Sequence, residues 1–233
     1  MYCLCITQFI LRIFYKMKII STAVSLMQLL NHAFDYVIEN SIVYNIDESH
    51  ALKHSMEVYG FAKKILENEV IKTPYLEDQK RIIYMAAIGH DMCDKKYMDE
   101  KEGIARYQLH LSNFMDPNEL EAMGNIIETM SYSKVKANGY PDLGKYQLAY
   151  HIVREADLLA AYDIDRCIIY SMYRNDKKYS EALIEALDLF DTRAFKMRQD
   201  NLFKTGFSKK ESIKLQLKAM KDVELLKNNL LIK

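Results

Sequence analysis

Three stretches of the sequence carry side chains that could share one piece of chemistry. His50 and His54 stand four residues apart in "DESHALKHSMEV" (47–58) and share a face if that stretch is helical. The apolar run "YMAAIG" ends on an adjacent imidazole and carboxylate, His90 and Asp91. Asp157 lies in "HIVREADLLAAYD" (151–163), an acid within an otherwise apolar stretch. A carboxylate on the inner face of a helix is costly to bury unless it is paired or bound to a metal. One histidine, the His-Asp pair and the distant aspartate would offer two imidazoles and two carboxylates. That mixed set suits an octahedral first-row divalent ion with open positions for water, and it lacks the thiolates that favour structural zinc. Each residue also has an ordinary reading: exposed histidines, helix-end residues, or Asp157 paired with Arg154 or Lys145.

"DMCDKK" (91–96) extends the same question. If the helix continues past His90, Asp94 lies one turn on and could orient a water or act as a general base; otherwise it belongs to a solvated charged turn. Lys95 and Lys96, with His50, add cationic and hydrogen-bonding groups beside it. Met92 and Cys93 read as packing residues, since nothing nearby would activate a thiolate. His110 and His151 are expected outside any metal's ligand set.

The elements that would position these groups are helices. Val24, Met27, Leu30, Phe34, Val37 and Ile38 recur at helical spacing and predict a helix over 22–40. Asp47 and Ser49 are N-cap candidates for a second helix, 47–69, with Leu52, Met56, Tyr59, Ala62, Ile65 and Leu66 in period. Thr73-Pro74 opens a third, running to about His90. Asp116-Pro117-Asn118-Glu119 has the form of a capping box and opens 117–130. "NGYPDLG" (138–144) is a turn, and 145–174 reads as helix with a break near Tyr162-Asp163. A helix over 180–203 follows, and Ser208-x-x-Glu211 opens the last one. No segment alternates with period two, so the chain is expected to be all-α.

Composition narrows the function classes. The 233 residues are half hydrophobic, with 7 Gly and 3 Pro, too few turn-formers for a many-stranded sandwich or barrel. Lys plus Arg, 32, equals Asp plus Glu, 32, so no global field draws the chain to nucleic acid or anionic membrane. The later chain does interleave Arg193, Lys196, Arg198, Lys204, Lys209 and Lys210 with Phe190, Phe195, Phe203 and Phe207, but aromatics at helical spacing are usually core. The four cysteines, Cys3, Cys5, Cys93 and Cys167, form no CxxC pair or regular framework, so a reducing, cytoplasmic setting is expected. At the N-terminus the charges Arg12, Lys16 and Lys18 follow the apolar run, which is too short to span a bilayer. Residues 1–16 are therefore read as an N-terminal extension to a single domain over 17–233, with no membrane association.

Taken together, "DESHALKHSMEV" (47–58), "YMAAIGHDMCDKK" (84–96), "IIETMSYSK" (126–134) and "HIVREADLL" (151–159) resemble the HD-domain metal-dependent phosphohydrolases, whose ligands run His, His-Asp, Asp. The likeness covers roughly 22–205 and is nearest to the small bacterial-type members. It implies a single-domain HD-type helical bundle with a metal site between its central helices. It makes His54, His90, Asp91 and Asp157 the ligands of one divalent ion, with Mn, Mg, Fe, Co or Ni suited and Zn less so. His50, Asp94 and Lys95 become candidate catalytic groups, and His50, Lys95, Lys96 and Arg154 candidate substrate contacts. The implied reaction is hydrolysis of a small phosphorylated or nucleotide-like substrate by a metal-activated water, with a homodimer as the assembly to test. The chain departs from the family pattern at Ala51 (usually Asp), Glu57 (usually Arg), Met130 (often His), Leu158 (Arg) and Ala160 (Asp). Two readings follow: a changed substrate, or a catalytically weak or inactive metal- or nucleotide-binding regulatory module.

Overall fold

In the computed structural model, residues 26–230 are described, and among them there are ten α-helices and no strand. They are α1 (26–43), α2 (Leu52–Glu69), α3 (Lys80–Gly89), α4 (Glu100–Leu111), α5 (Pro117–Thr129), α6 (Tyr132–Asn138), α7 (Gln147–Ala160), α8 (Ile164–Arg174), α9 (Tyr179–Thr192) and α10 (Gly206–Leu230). The first predicted helix begins at 22, and its residues before 26, like the proposed 1–16 extension, lie outside the described residues.

The bundle is built around α3. Every residue from Ile82 to Gly89 is buried, and a helix apolar on all sides belongs at the centre of a core. α2, α5 and α7 pack around it, α2 also packs along α7, and α8 and α9 pair beside them. α10 lies against α2 and α7. The punctuation explains several boundaries. Asp116 accepts from Asn118 N and Glu119 N while Glu119 reaches back to Asp116 N, a complete capping box ahead of Pro117. The expected break after α7 falls at 161–163, where Asp163 caps α8 by accepting from Asp165 N.

Other boundaries move for local reasons. Asp47 closes a turn instead of a helix: its side chain accepts from Ser49 N and its carbonyl from His50 N and Ala51 N, so α2 starts only at Leu52. Pro74 opens a 3₁₀ stretch, Pro74–Gln79, before α3 begins. The predicted 180–203 helix stops at Thr192 because Arg193 leaves helical geometry (φ −130°, ψ −62°). α10 starts two residues ahead of Ser208. The phase of α1 also differs: Leu29, Ala33, Tyr36 and Val37 face the core while Met27 and Ile38 are exposed. In α2 the buried face runs through His54, Ser55, Val58, Ala62 and Ile65, leaving Met56 outside.

One glycine sets how α3 ends. A Cβ on Gly89 would come within 2.2 Å of the Tyr107 ring, which is fully buried and donates to Met85 O at 3.0 Å. Gly89→Ala is expected to destabilise the fold by about 1–3 kcal/mol through overpacking. A urea midpoint equal to wild type would contradict it.

Candidate metal centre and adjoining cleft

His54 enters the core from the first turn of α2, while His90 and Asp91 form the first residues of a 3₁₀ turn, His90–Cys93, that closes α3. Asp157 projects from α7, which packs against both helices. His54 Nε2 stands 3.1 Å from Asp91 Oδ2 and 3.5 Å from Asp157 Oδ1. His90 Nε2 stands 3.4 Å from Asp91 Oδ2, 3.7 Å from Asp157 Oδ1 and 3.4 Å from His54 Nε2. Donor atoms of His54, His90 and Asp157 all lie within 4.8 Å of one another, and Asp91 adds a fourth donor beside both imidazoles.

These atoms converge on shared space more than on each other. Asp91 Oδ2 is buried yet accepts no hydrogen bond, despite two imidazole nitrogens within 3.4 Å. His90 Nδ1 lies 3.0 Å from Ala87 O; a carbonyl only accepts, so Nδ1 carries the proton and Nε2 of the neutral ring presents a lone pair to the cluster. Donors sharing a first-row divalent ion at roughly 2.0–2.2 Å stand about 3 to 3.5 Å apart. His54, His90 and Asp157 therefore fit such an ion by donor type and by spacing, and His90 by tautomer as well.

Electrostatics agree with two charged carboxylates in this place. Burial acts to raise the Asp91 and Asp157 pKa values, but the facing imidazoles override it and hold both well below the usual carboxylate range. Burial opposes protonation of His90, and the Asp91 and Asp157 carboxylates outweigh it, raising His90 to about 9. Without a bound cation, a proton on His90 serves as counter-charge.

His90, Asp91 and Asp157 line a cleft of about 510 Å³ that His50, Asp94, Lys95 and Lys96 also line. The helix does not continue through Asp94, whose backbone turns extended (φ −68°, ψ 135°). Its carboxylate instead holds Lys96, accepting from Lys96 N at 2.8 Å and facing Lys96 Nζ at 3.4 Å. Lys96 Nζ lies 3.4 Å from His50 Nε2, and His50 Nδ1 lies 2.6 Å from Ser49 Oγ, which in turn bonds Asp47. Burial and the nearby cations Lys96 and Arg166, against the pull of Asp91, lower the His50 pKa to about 4 and keep the ring neutral. Lys95 is exposed at the rim.

Two arginines line the cleft that the sequence did not assign to it: Arg166 carried no signal, and Arg193 stood out only as part of the later basic run. Arg166 Nε donates to Ser49 O at 2.7 Å, and Arg193 lies 4.0 Å over the Tyr132 ring; both line the cleft. They resemble any cation of a solvated helix until the α7–α8 turn and the break after α9 bring them in. Phe190 and Phe203, read with the later basic residues, are buried in the core.

Arg154 is not brought to the cleft. It is 1 % exposed, donates through Nη1 to Leu202 O at 2.9 Å, and lies 5.1 Å from the Tyr140 ring centre. His110 and His151 are likewise apart from the cluster, His110 bonded to His32 O and His151 to Gln147. Burial, then Arg154 and Lys204, lower the His151 pKa from 6.5 to about 4. A base whose folded pKa is depressed contributes stability that is present above its unfolded pKa and lost as pH falls. His151→Gln is therefore expected to flatten the loss of stability between pH 6.5 and 4, read from urea midpoints across that range. An unchanged slope would remove His151 as a contributor.

The chain matches no family model, no curated protein and no solved structure. Among the described residues, no helix is long and apolar enough to cross a membrane.

Proposed function

We propose that the chain is a divalent-metal-dependent phosphohydrolase acting on a small phosphorylated molecule of nucleotide-like size. The observation that carries this reading is the convergence of His54, His90, Asp91 and Asp157 from three helices, with a buried carboxylate oxygen that accepts no hydrogen bond. These four residues would hold the ion. A divalent cation there supplies Lewis-acid charge against a phosphoryl oxygen and makes water a nucleophile near neutral pH.

The chain's own residues supply the rest. Lys96, restrained by Asp94 and His50, keeps its charge: burial disfavours it, but Asp91 and Asp94 raise its pKa. It is placed to meet negative charge on the substrate's phosphoryl oxygens. Arg166, anchored through Nε on Ser49 O, keeps its terminal guanidinium nitrogens for a second oxygen. Neutral His50 offers no charge of its own and orients Lys96. The cleft volume suits a metabolite, and the neutral net charge argues against a polymer.

The binding-module alternative draws on one observation. Ala51, Met130, Leu158 and Ala160, where the family resemblance expects polar groups, are all buried apolar side chains. The test is metal analysis of stripped and reloaded protein, followed by a screen of phosphorylated metabolites for phosphate release with Mn, Mg, Co or Ni. A stoichiometric ion with metal-dependent release supports the hydrolase. Absence of any bound ion sinks it, and an ion with no hydrolysed substrate selects the module.

A further inference from the structure

A second group of polar side chains lies on α7, outside the cleft, and every unsatisfied member of it is a donor. Leu143 N donates to Gln147 Oε1 at 2.9 Å, which turns Gln147 Nε2 toward His151 Nε2 at 3.3 Å. Nε2 of His151 must therefore accept, so its proton sits on Nδ1, and that buried N–H has no partner. Arg154, four residues past Tyr150 and three past His151, has Nε and Nη2 buried without partners. The Tyr150 hydroxyl is buried and unbonded as well. Lys204 Nζ and the Arg154 guanidinium each lie 5.1 Å from the Tyr140 ring centre, and the His151 ring stands edge-on to Tyr140 at 5.2 Å.

No acid answers these cations. Among the described residues, no carboxylate oxygen lies within 4.0 Å of Arg154 or Lys204 nitrogens. The neighbouring Glu155 carboxylate is occupied by Lys204 N, Thr205 N and Thr205 Oγ. A guanidinium almost wholly removed from water, with one carbonyl and one ring face as its company, is costly without a counter-ion. The missing partner is an acceptor with negative charge and several oxygens.

We infer that Arg154, Lys204, His151 and Tyr150 form a second binding site, for a small oxyanion carrying phosphate or carboxylate oxygens, with Tyr140 as its cover. Tyr140 is 38 % exposed and sits in the turn between Gly139 (φ 77°) and Gly144 (φ 54°), so its ring is the group that yields to a ligand. The site is independent of the metal cluster and stands or falls apart from the phosphohydrolase reading.

The test uses the full chain stripped of metal by chelation, with inorganic phosphate and succinate as separate probes and potassium chloride at matched ionic strength as the reference. At about ten times Kd, the bound probe is expected to raise Tm by about 3 °C. Phosphate alone stabilising identifies a phosphate site, and succinate alone a carboxylate site. The rise should survive Lys96→Gln and Arg166→Gln, which remove the two anion contacts assigned to the cleft. It should shrink to about a third or less in Lys204→Gln, a partly exposed position whose loss orphans no buried group, with Kd at least tenfold weaker. Arg154→Met is the stronger change if it folds. No rise beyond the chloride reference, or a rise that Lys204→Gln retains and Lys96→Gln abolishes, overturns the assignment.

Discussion

Asp91→Ala is expected to leave the protein folded and unable to hold the proposed divalent ion. The Asp91 carboxylate stands 3.1 Å and 3.4 Å from the two imidazole nitrogens and is bonded to nothing through Oδ2. Its removal therefore orphans no backbone donor, and Asp157 still faces His90. Metal-free variant and metal-free wild type should unfold within about 1 kcal/mol of each other. Metal-dependent phosphate release should fall by roughly a thousandfold or more, the equivalent of about 4 kcal/mol, because a Lewis acid supplies several kcal/mol of transition-state stabilisation. Metal content after gel filtration, helical circular dichroism and turnover separate the effects. A variant that keeps a stoichiometric ion at wild-type affinity would remove Asp91 from the ligand set.

The second large effect is on stability. Glu155 is fully buried on α7, and its carboxylate accepts from Lys204 N, Thr205 N (3.1 Å) and Thr205 Oγ (2.7 Å), fastening the start of α10. Thr205 Oγ in turn meets Ser208 Oγ at 2.8 Å and accepts from Ser208 N. Glu155→Ala removes the acceptor from two backbone donors and a hydroxyl in one step. The expected cost is about 3–5 kcal/mol, the range for breaking a buried charged network. Glu155→Gln keeps an acceptor oxygen and should cost less than half of that. Urea unfolding of both variants decides it: equal midpoints for Glu155→Ala and wild type would mean that α10 docks by its apolar contacts alone.

What could be read from the sequence follows the reach of each signal. Asp116 announces a helix start because a cap acts over three residues, and that cap forms as the sequence predicts; near Tyr162-Asp163 the sequence gives only a break, and Asp163 turns out to cap α8. The four-residue spacing of His50 and His54 predicts a shared face. Which of them points inward depends on where α2 begins, and Asp47 delays that start by folding a turn on itself. In α1, apolar residues occupy two faces, so periodicity identifies a helix without saying which stripe meets α4; His32 and Tyr36 end up against His110 and Tyr107. Arg154 shows the limit from the other side. It lies one turn before Asp157, but a long side chain goes where an acceptor waits, and Leu202 O is 48 residues away in sequence.

The spacing of the cluster along the chain has a kinetic consequence. His54, His90 and Asp157 come from α2, the turn that closes α3, and α7, so their donor atoms meet only after more than a hundred residues have been looped back into register. Closing such loops precedes any reward from the contacts they make. If the cluster holds the proposed ion, capture would be a late event in folding, and the ion would favour the assembled bundle over partly docked intermediates. In refolding experiments, divalent cations should slow unfolding and leave the rate of initial collapse unchanged.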